Sequence, residues 1–174
     1  MKLITQTGLI LSCIASSFIP AAHAAVETGT FDVRMTVLKS CTVTAGTASD
    51  IDLGTVAATA IDTSNSNTIS VNCSKTTPYF IGLMPSVANG GNTNGAGSMA
   101  SATAGNTDTI PYQLHQDSAT GAIWGNTATT TDAGNGVEGI GSGLAQTFTV
   151  YAVAPSANFT PDSYLDTVTV NVNY

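Results

Sequence analysis

The chain has 174 residues, 43% hydrophobic and 9% charged, and its eleven Asp and Glu against four Lys and Arg leave a formal net charge of −7. A surface so poor in cations argues against nucleic acid and anionic lipid as partners. Thr, Ser, Asn, Gly and Ala take the places that charges usually fill, which suits an exposed extracellular β-protein if the apolar residues are regularly spaced.

Residues 1–24 read as a signal peptide. Lys2 supplies the positive start, Leu3 to Ile19 is largely apolar, and Ala22-His23-Ala24 is a small-x-small cleavage site. Cys13 leaves with it, so the expected mature chain, 25–174, keeps two cysteines, Cys41 and Cys73. Two cysteines in an exported chain are most simply one disulfide.

The first mature segment alternates. Gly29, Phe31, Val33, Met35 and Val37 fall on one face, and Thr30, Asp32, Arg34 and Thr36 on the other, the period of a β-strand. Cys41-Thr42-Val43 continues as strand to a turn at Ala45-Gly46-Thr47. Ile51, Leu53 and Val56 make a short apolar segment, and 62–67 reads as a polar turn. Ile69, Val71 and Cys73 alternate again, and Tyr79 to Met84 is a further strand. The stretch 86–109, rich in Gly, Asn, Ala, Ser and Thr, reads as a long loop or hairpin tip. Residues 110–115 and 122–124 form a hairpin across a turn at 117–121, and 125–143 is a second loop. Phe148, Val150 and Ala152 lie on one strand, and 155–161 is a connection. The final segment, Tyr164 to Tyr174, carries Val168, Val170, Val172 and Tyr174 on one face, led by Asp166. No helical period of useful length occurs, so seven or eight short strands predict an all-β sandwich. A terminal strand with an apolar face must find a partner, in its own sheet or on another molecule.

Little in the chain suggests catalysis. His115, beside Gln116 and Asp117, is the single mature histidine, and no G-x-S-x-G elbow accompanies it. Asp50 and Asp52 share a strand face but lack a surrounding cleft; a loop calcium site is the most they offer. The sequons at Asn72 and Asn158 read as coincidental. No cofactor or metal is implied. A monomeric secreted binding module, for example a carbohydrate binder using Tyr112, Trp124 and Tyr151, is a competing expectation.

Three segments carry a resemblance: the mature start A-V-E-T-G-T-F-D-V-R-M-T-V-L-K-S-C-T-V, the later I-S-V-N-C, and the ending S-Y-L-D-T-V-T-V-N-V-N-Y. With I-P-Y-Q-L-H-Q-D and F-T-V-Y-A-V-A-P they resemble the spore coat protein U-like domain, and more narrowly the subunits of archaic, Csu-type chaperone–usher pili of Gram-negative bacteria. The resemblance implies an incomplete immunoglobulin-like β-sandwich lacking its last strand. A periplasmic chaperone would supply a strand during export, and an outer-membrane usher would exchange it for the N-terminal strand of the next subunit. Carried onto this chain, residues 25–37 would be the donor segment, overlapping the first resident strand, and 38–174 the pilin domain. Gly29, Phe31, Val33, Met35 and Val37 would form the donor face. Val168, Val170 and Val172 would form the acceptor edge, with the Tyr174 carboxylate as a chaperone anchor. Cys41 and Cys73 match the family disulfide. The expected role is a structural, non-enzymatic pilus subunit, of the shaft or a minor one, acting at the cell surface in adhesion and biofilm. A spore-coat-type structural protein is the alternative within the same family.

Overall fold

A computed structural model describes residues 24–174, so all but the last residue of the expected signal peptide lies outside the described residues. The chain divides into two units, 1–36 and 37–174. In the first, residues 24–36 contain neither helix nor strand. Arg34 pairs there with Asp32, both exposed. The strand expected over 29–38 is therefore not formed: alternation marks which face would be apolar, but a ladder needs a partner.

The second unit is all-β. Its strands are β1 (Cys41–Thr44), β2 (Ile61–Cys73), β3 (Pro78–Pro85), β4 (Ala96–Ser101), β5 (Thr109–His115), β6 (Val137–Ile140), β7 (Ala145–Ser156), β8 (Tyr164–Leu165) and β9 (Val168–Asn173). Six make one sheet in the order β1-β2-β7-β5-β4-β8, and three make the other in the order β6-β3-β9. Neighbours run antiparallel throughout. Alternate residues of β2, β3, β5 and β7 meet between the sheets: Ile69, Val71 and Cys73, then Tyr79, Ile81 and Leu83, with Leu114, Val150 and Ala152. Trp124 is buried among them, and its indole N–H donates to Ile81 O at 3.0 Å. An interior Trp needs such a partner for its one polar atom.

Four further expectations are corrected. The polar turn expected at 62–67 is the first half of β2, which pairs with β7 from Ile61↔Ser156 to Asn72↔Ala145. A long partner strand overrides turn composition, because residues 63–67 gain ladder pairing that a turn would forfeit. Asp62, at a φ of 49°, has no register partner in β7. The expected loops 86–109 and 125–143 contain β4 and β6. Their small residues are packing devices: a Cβ on Gly97 would sit 2.6 Å from the Tyr112 ring, and one on Gly139 2.3 Å from that of Tyr79. The return strand at 122–124 is reduced to one bridge, His115↔Ile123. Finally, the terminal strand is split, β8 and β9 being separated by Asp166 and Thr167.

Candidate functional site: an open sheet edge

β9 lies at the edge of the three-stranded sheet. It pairs with β3 from Val168↔Pro85 to Asn173↔Phe80, and no described strand pairs with its other side. Its neighbour is better satisfied. β3 takes β6 on its far side over Pro78–Ile81, and beyond that its Leu83 N–H donates to Gly125 O at 2.8 Å. β9, the longer of the two edge strands of this sheet, thus keeps a row of backbone donors and acceptors without a ladder.

The face that β9 turns inward is apolar and incompletely covered. Val168, Val170 and Val172 pack against the core yet remain half-buried, and Tyr174 is 47% exposed. Ile51 and Leu53, in the stretch after β1 that forms no strand, pack half-buried against the same core. That stretch is held by side chains of β2: Asn65 Nδ2 donates to Asp52 O at 2.6 Å, and Asn67 Nδ2 to Asp50 O at 2.8 Å. β1, the edge strand of the opposite sheet, comes within 8 Å of β9 between Cα atoms. The two sheets therefore approach along this side, where both end in edge strands. The outer face of β9 is tied down instead, Asn171 Nδ2 donating to Asn126 Oδ1 at 3.1 Å.

The head of β9 is fixed by Asp166, which continues the even-numbered register of the valines. Its carboxylate accepts from the Tyr112 hydroxyl at 2.7 Å and from Asn89 Nδ2 at 2.8 Å. Tyr112 is buried, and burial followed by the adjacent carboxylate pushes its hydroxyl far above the usual tyrosine range. The hydroxyl thus stays a donor, anchoring the strand at its first turn inward.

The bridge joins Cys41 and Cys73, which face each other as the first pair of the β1–β2 ladder with Cα atoms 4.1 Å apart. It staples the edge strand β1 where the chain leaves the sandwich. Just outside it, Ser74 N donates to Ser40 O at 2.8 Å and Ser40 N to Ser74 Oγ at 3.0 Å. The residues expected to form a donor face are exposed, Phe31, Val33 and Met35 at 86%, 87% and 85%.

Other candidates are dispersed. His115 Nδ1 donates to Gly121 O at 2.8 Å and so serves the turn that follows it. Asp52 Oδ1 accepts from Gly54 N, capping its own turn, and no group of three metal-ligating side chains occurs among the described residues. Tyr112 and Trp124 belong to the core, so with Tyr151 they do not form the aromatic platform a carbohydrate binder would need. Sequence reading missed Ile51 and Leu53 as part of the open side, although their spacing of two was visible. It also noted the charge of Asp166 without its partners, which lie 54 and 77 residues away.

Comparison with known proteins gives two results. Residues 27–171 match the family model described as Spore Coat Protein U domain. The fold is similar to a chain in the crystal structure of the CsuC–CsuE chaperone–tip adhesion subunit pre-assembly complex from archaic chaperone–usher Csu pili of Acinetobacter baumannii. The TM-score is 0.51 at 18% identity, over 80% of this chain and 41% of that one. The chain therefore spans under half the length of the protein it matches there. No curated protein matches.

Proposed function

The chain belongs to the Spore Coat Protein U domain family, and from that premise we propose that it is a structural subunit of a chaperone–usher pilus, polymerising by donor-strand exchange. The observation that carries this reading is the unpartnered edge of β9 with its half-covered valines. An exposed apolar edge is an aggregation liability in a monomer. It is an asset in a protein whose partner brings the missing strand, because backbone bonds supply affinity and alternate side chains supply specificity.

The donor is the segment 25–37, with Gly29, Phe31, Val33, Met35 and Val37 as its inward face, and 38–174 is the accepting domain. The spacing of two along this segment matches that of Val168, Val170 and Val172. During export a periplasmic chaperone covers the same edge, with the Tyr174 carboxylate as an anchor, and an outer-membrane usher exchanges it for the next copy. The protein acts at the cell surface within the fibre, in adhesion and biofilm formation, and carries no catalytic activity. The similarity to a chain from a chaperone–subunit complex supports the choice of partners.

Deleting residues 25–37 tests the reading. Co-expressed with its chaperone, the truncated chain should still be captured but should form no ladder resistant to mild denaturant; a persisting ladder refutes donation from this segment. Phe31→Asp or Val33→Asp should stop assembly in the same way while leaving the chaperone complex intact, since neither residue belongs to the core.

A further inference from the structure

The charges of the domain are sorted by its ends. Lys39 and Lys75 are the two cations of unit 37–174. They flank the hydrogen-bonded pair Ser40 and Ser74, beside the disulfide, where the chain enters the sandwich. Both are exposed. No Asp or Glu falls in the segments that build this end, 37–49, 68–79 and 139–149.

The opposite end is acidic and carries no cation. β2 runs thirteen residues from one end to the other, about 40 Å at the usual rise. Asp62 lies at its start, exposed, beside the place where Ile61 pairs with Ser156. Asp108 and Asp162 lie on the neighbouring connections. Asp108 Oδ2 accepts from Thr160 N at 3.0 Å, and Asp162 accepts from Ser101, Thr103 and Asn106. These bonds hold both carboxyls below the usual aspartate range, so they are ionised at any neutral pH. Six carboxylates of this unit remain. Asp50 and Asp52 lie level with the middle of β2, where Asn67 and Asn65 bind their carbonyls. Asp166 is engaged by Tyr112 and Asn89 at the head of β9. Asp117 and Asp132 fall between β5 and β6, and Glu138 lies in β6 opposite Phe80, just outside the basic end.

The direction of β9 relates these ends to assembly. β9 starts at Val168, opposite Pro85, and ends at Asn173, opposite Phe80, so it runs from the acidic end toward the basic one. A donor segment laid antiparallel on it would run the other way and bring Val37 out at the acidic end. The next residues of that donating copy are its Lys39 and, across the Ser40–Ser74 bonds, its Lys75. A parallel donor would bring the same lysines against the acceptor's own Lys39 and Lys75.

We infer that the basic end of each subunit, Lys39 with Lys75, docks on the acidic end of the next copy, Asp62 with Asp108 and Asp162, as an electrostatic guide for head-to-tail assembly. This rests on the donor-strand reading. Surface charges of this kind act on encounter rate and orientation more than on final affinity. They are screened at separations beyond about 10 Å at 0.1 M salt. The contact is heterologous, one end against the other, and so propagates as an open fibre rather than closing as a dimer.

The test follows polymer growth from the mature chain released from its chaperone complex, read as denaturant-resistant ladders over time. Wild type should grow about tenfold more slowly at high salt than at low salt. K39E/K75E should be about tenfold slower than wild type at low salt and should lose that salt dependence, while K39R/K75R behaves as wild type. Lys75→Glu alone, far in sequence from the donor segment, should show a smaller slowing of the same kind. Asp62→Asn, whose side chain makes no hydrogen bond among the described residues and whose replacement tolerates the φ of 49° there, should match it from the acidic side. Equal rates for wild type and K39E/K75E at low salt overturn the inference while leaving donor-strand exchange standing. A wild-type chain that forms no ladder removes the donor-strand reading, and the inference falls with it.

Discussion

At the scale of single residues, the polar anchor of the open edge is the bond between Tyr112 and Asp166. A hydrogen bond to a charged acceptor contributes about 1.5–3 kcal/mol, and Asp166 keeps its second donor, Asn89, when the first is lost. Tyr112→Phe should therefore destabilise the domain by about 1–2 kcal/mol, seen as a lower denaturant midpoint. Asp162→Asn gives a cleaner pH signature. The folded-state pKa of Asp162 is depressed, first by the Ser101 hydroxyl and then by Asn106. The stability it contributes is present above the unfolded value, 3.8, and is lost as pH falls through the folded one. The wild-type midpoint should drop on acidification below about pH 4, and D162N should show a shallower drop. Asp166 was legible as an odd charge at the head of an apolar face. Its role was not, because Tyr112 and Asn89 reach it only through the folded sheet.

At the scale of elements, the strands recovered from the sequence are β1, β3, β5, the second half of β2, β7 and β9, most of them with apolar residues at every second place. β4 escapes because Ala96-Gly97-Ser98 has no apolar face. It forms where a strand of minimal side chains lets the Tyr112 ring lie across it, and a Cβ at Gly97 would also meet Pro85 Cβ at 2.7 Å. Gly97→Ala should displace that ring and cost about 1–3 kcal/mol, measured by thermal or denaturant unfolding. The Tyr112–Asp166 bond should weaken in the same variant, making a further Tyr112→Phe change nearly neutral. The first half of β2 was misread for the complementary reason. Its Asn, Ser and Thr look like a turn, yet Asn65 and Asn67 bind the backbone of the segment after β1.

At the scale of the whole molecule, the disulfide staples the domain beside its open side. The bridge closes a separation of 32 residues, worth about 3–4 kcal/mol in the chain-entropy view. Cys41→Ser with Cys73→Ser should lower stability by that order. It should also release β1, which the bridge holds against β2 next to the open edge. Reductant added to the unassembled wild-type chain should shift its unfolding midpoint toward that of the double variant. If the chain assembles as proposed, the assembled form should be less sensitive, because a partner that binds only the folded state adds its own stabilisation.

Local pattern was enough to decide the fold class, the faces of the regular strands, the pairing of two remaining cysteines and the presence of two apolar strips at 29–37 and 168–174. These depend on side-chain spacing along one segment, which is written in the chain itself. Which strip would form a ladder was not decided there. Both read as strands, yet β9 pairs with β3 while residues 24–36 contain no strand. The sorting of Lys39 and Lys75 from Asp62, Asp108 and Asp162 was equally invisible, since it is set by the direction each strand runs. Pairing and polarity are properties of contacts between segments distant in sequence, and only the tertiary structure brings those segments together.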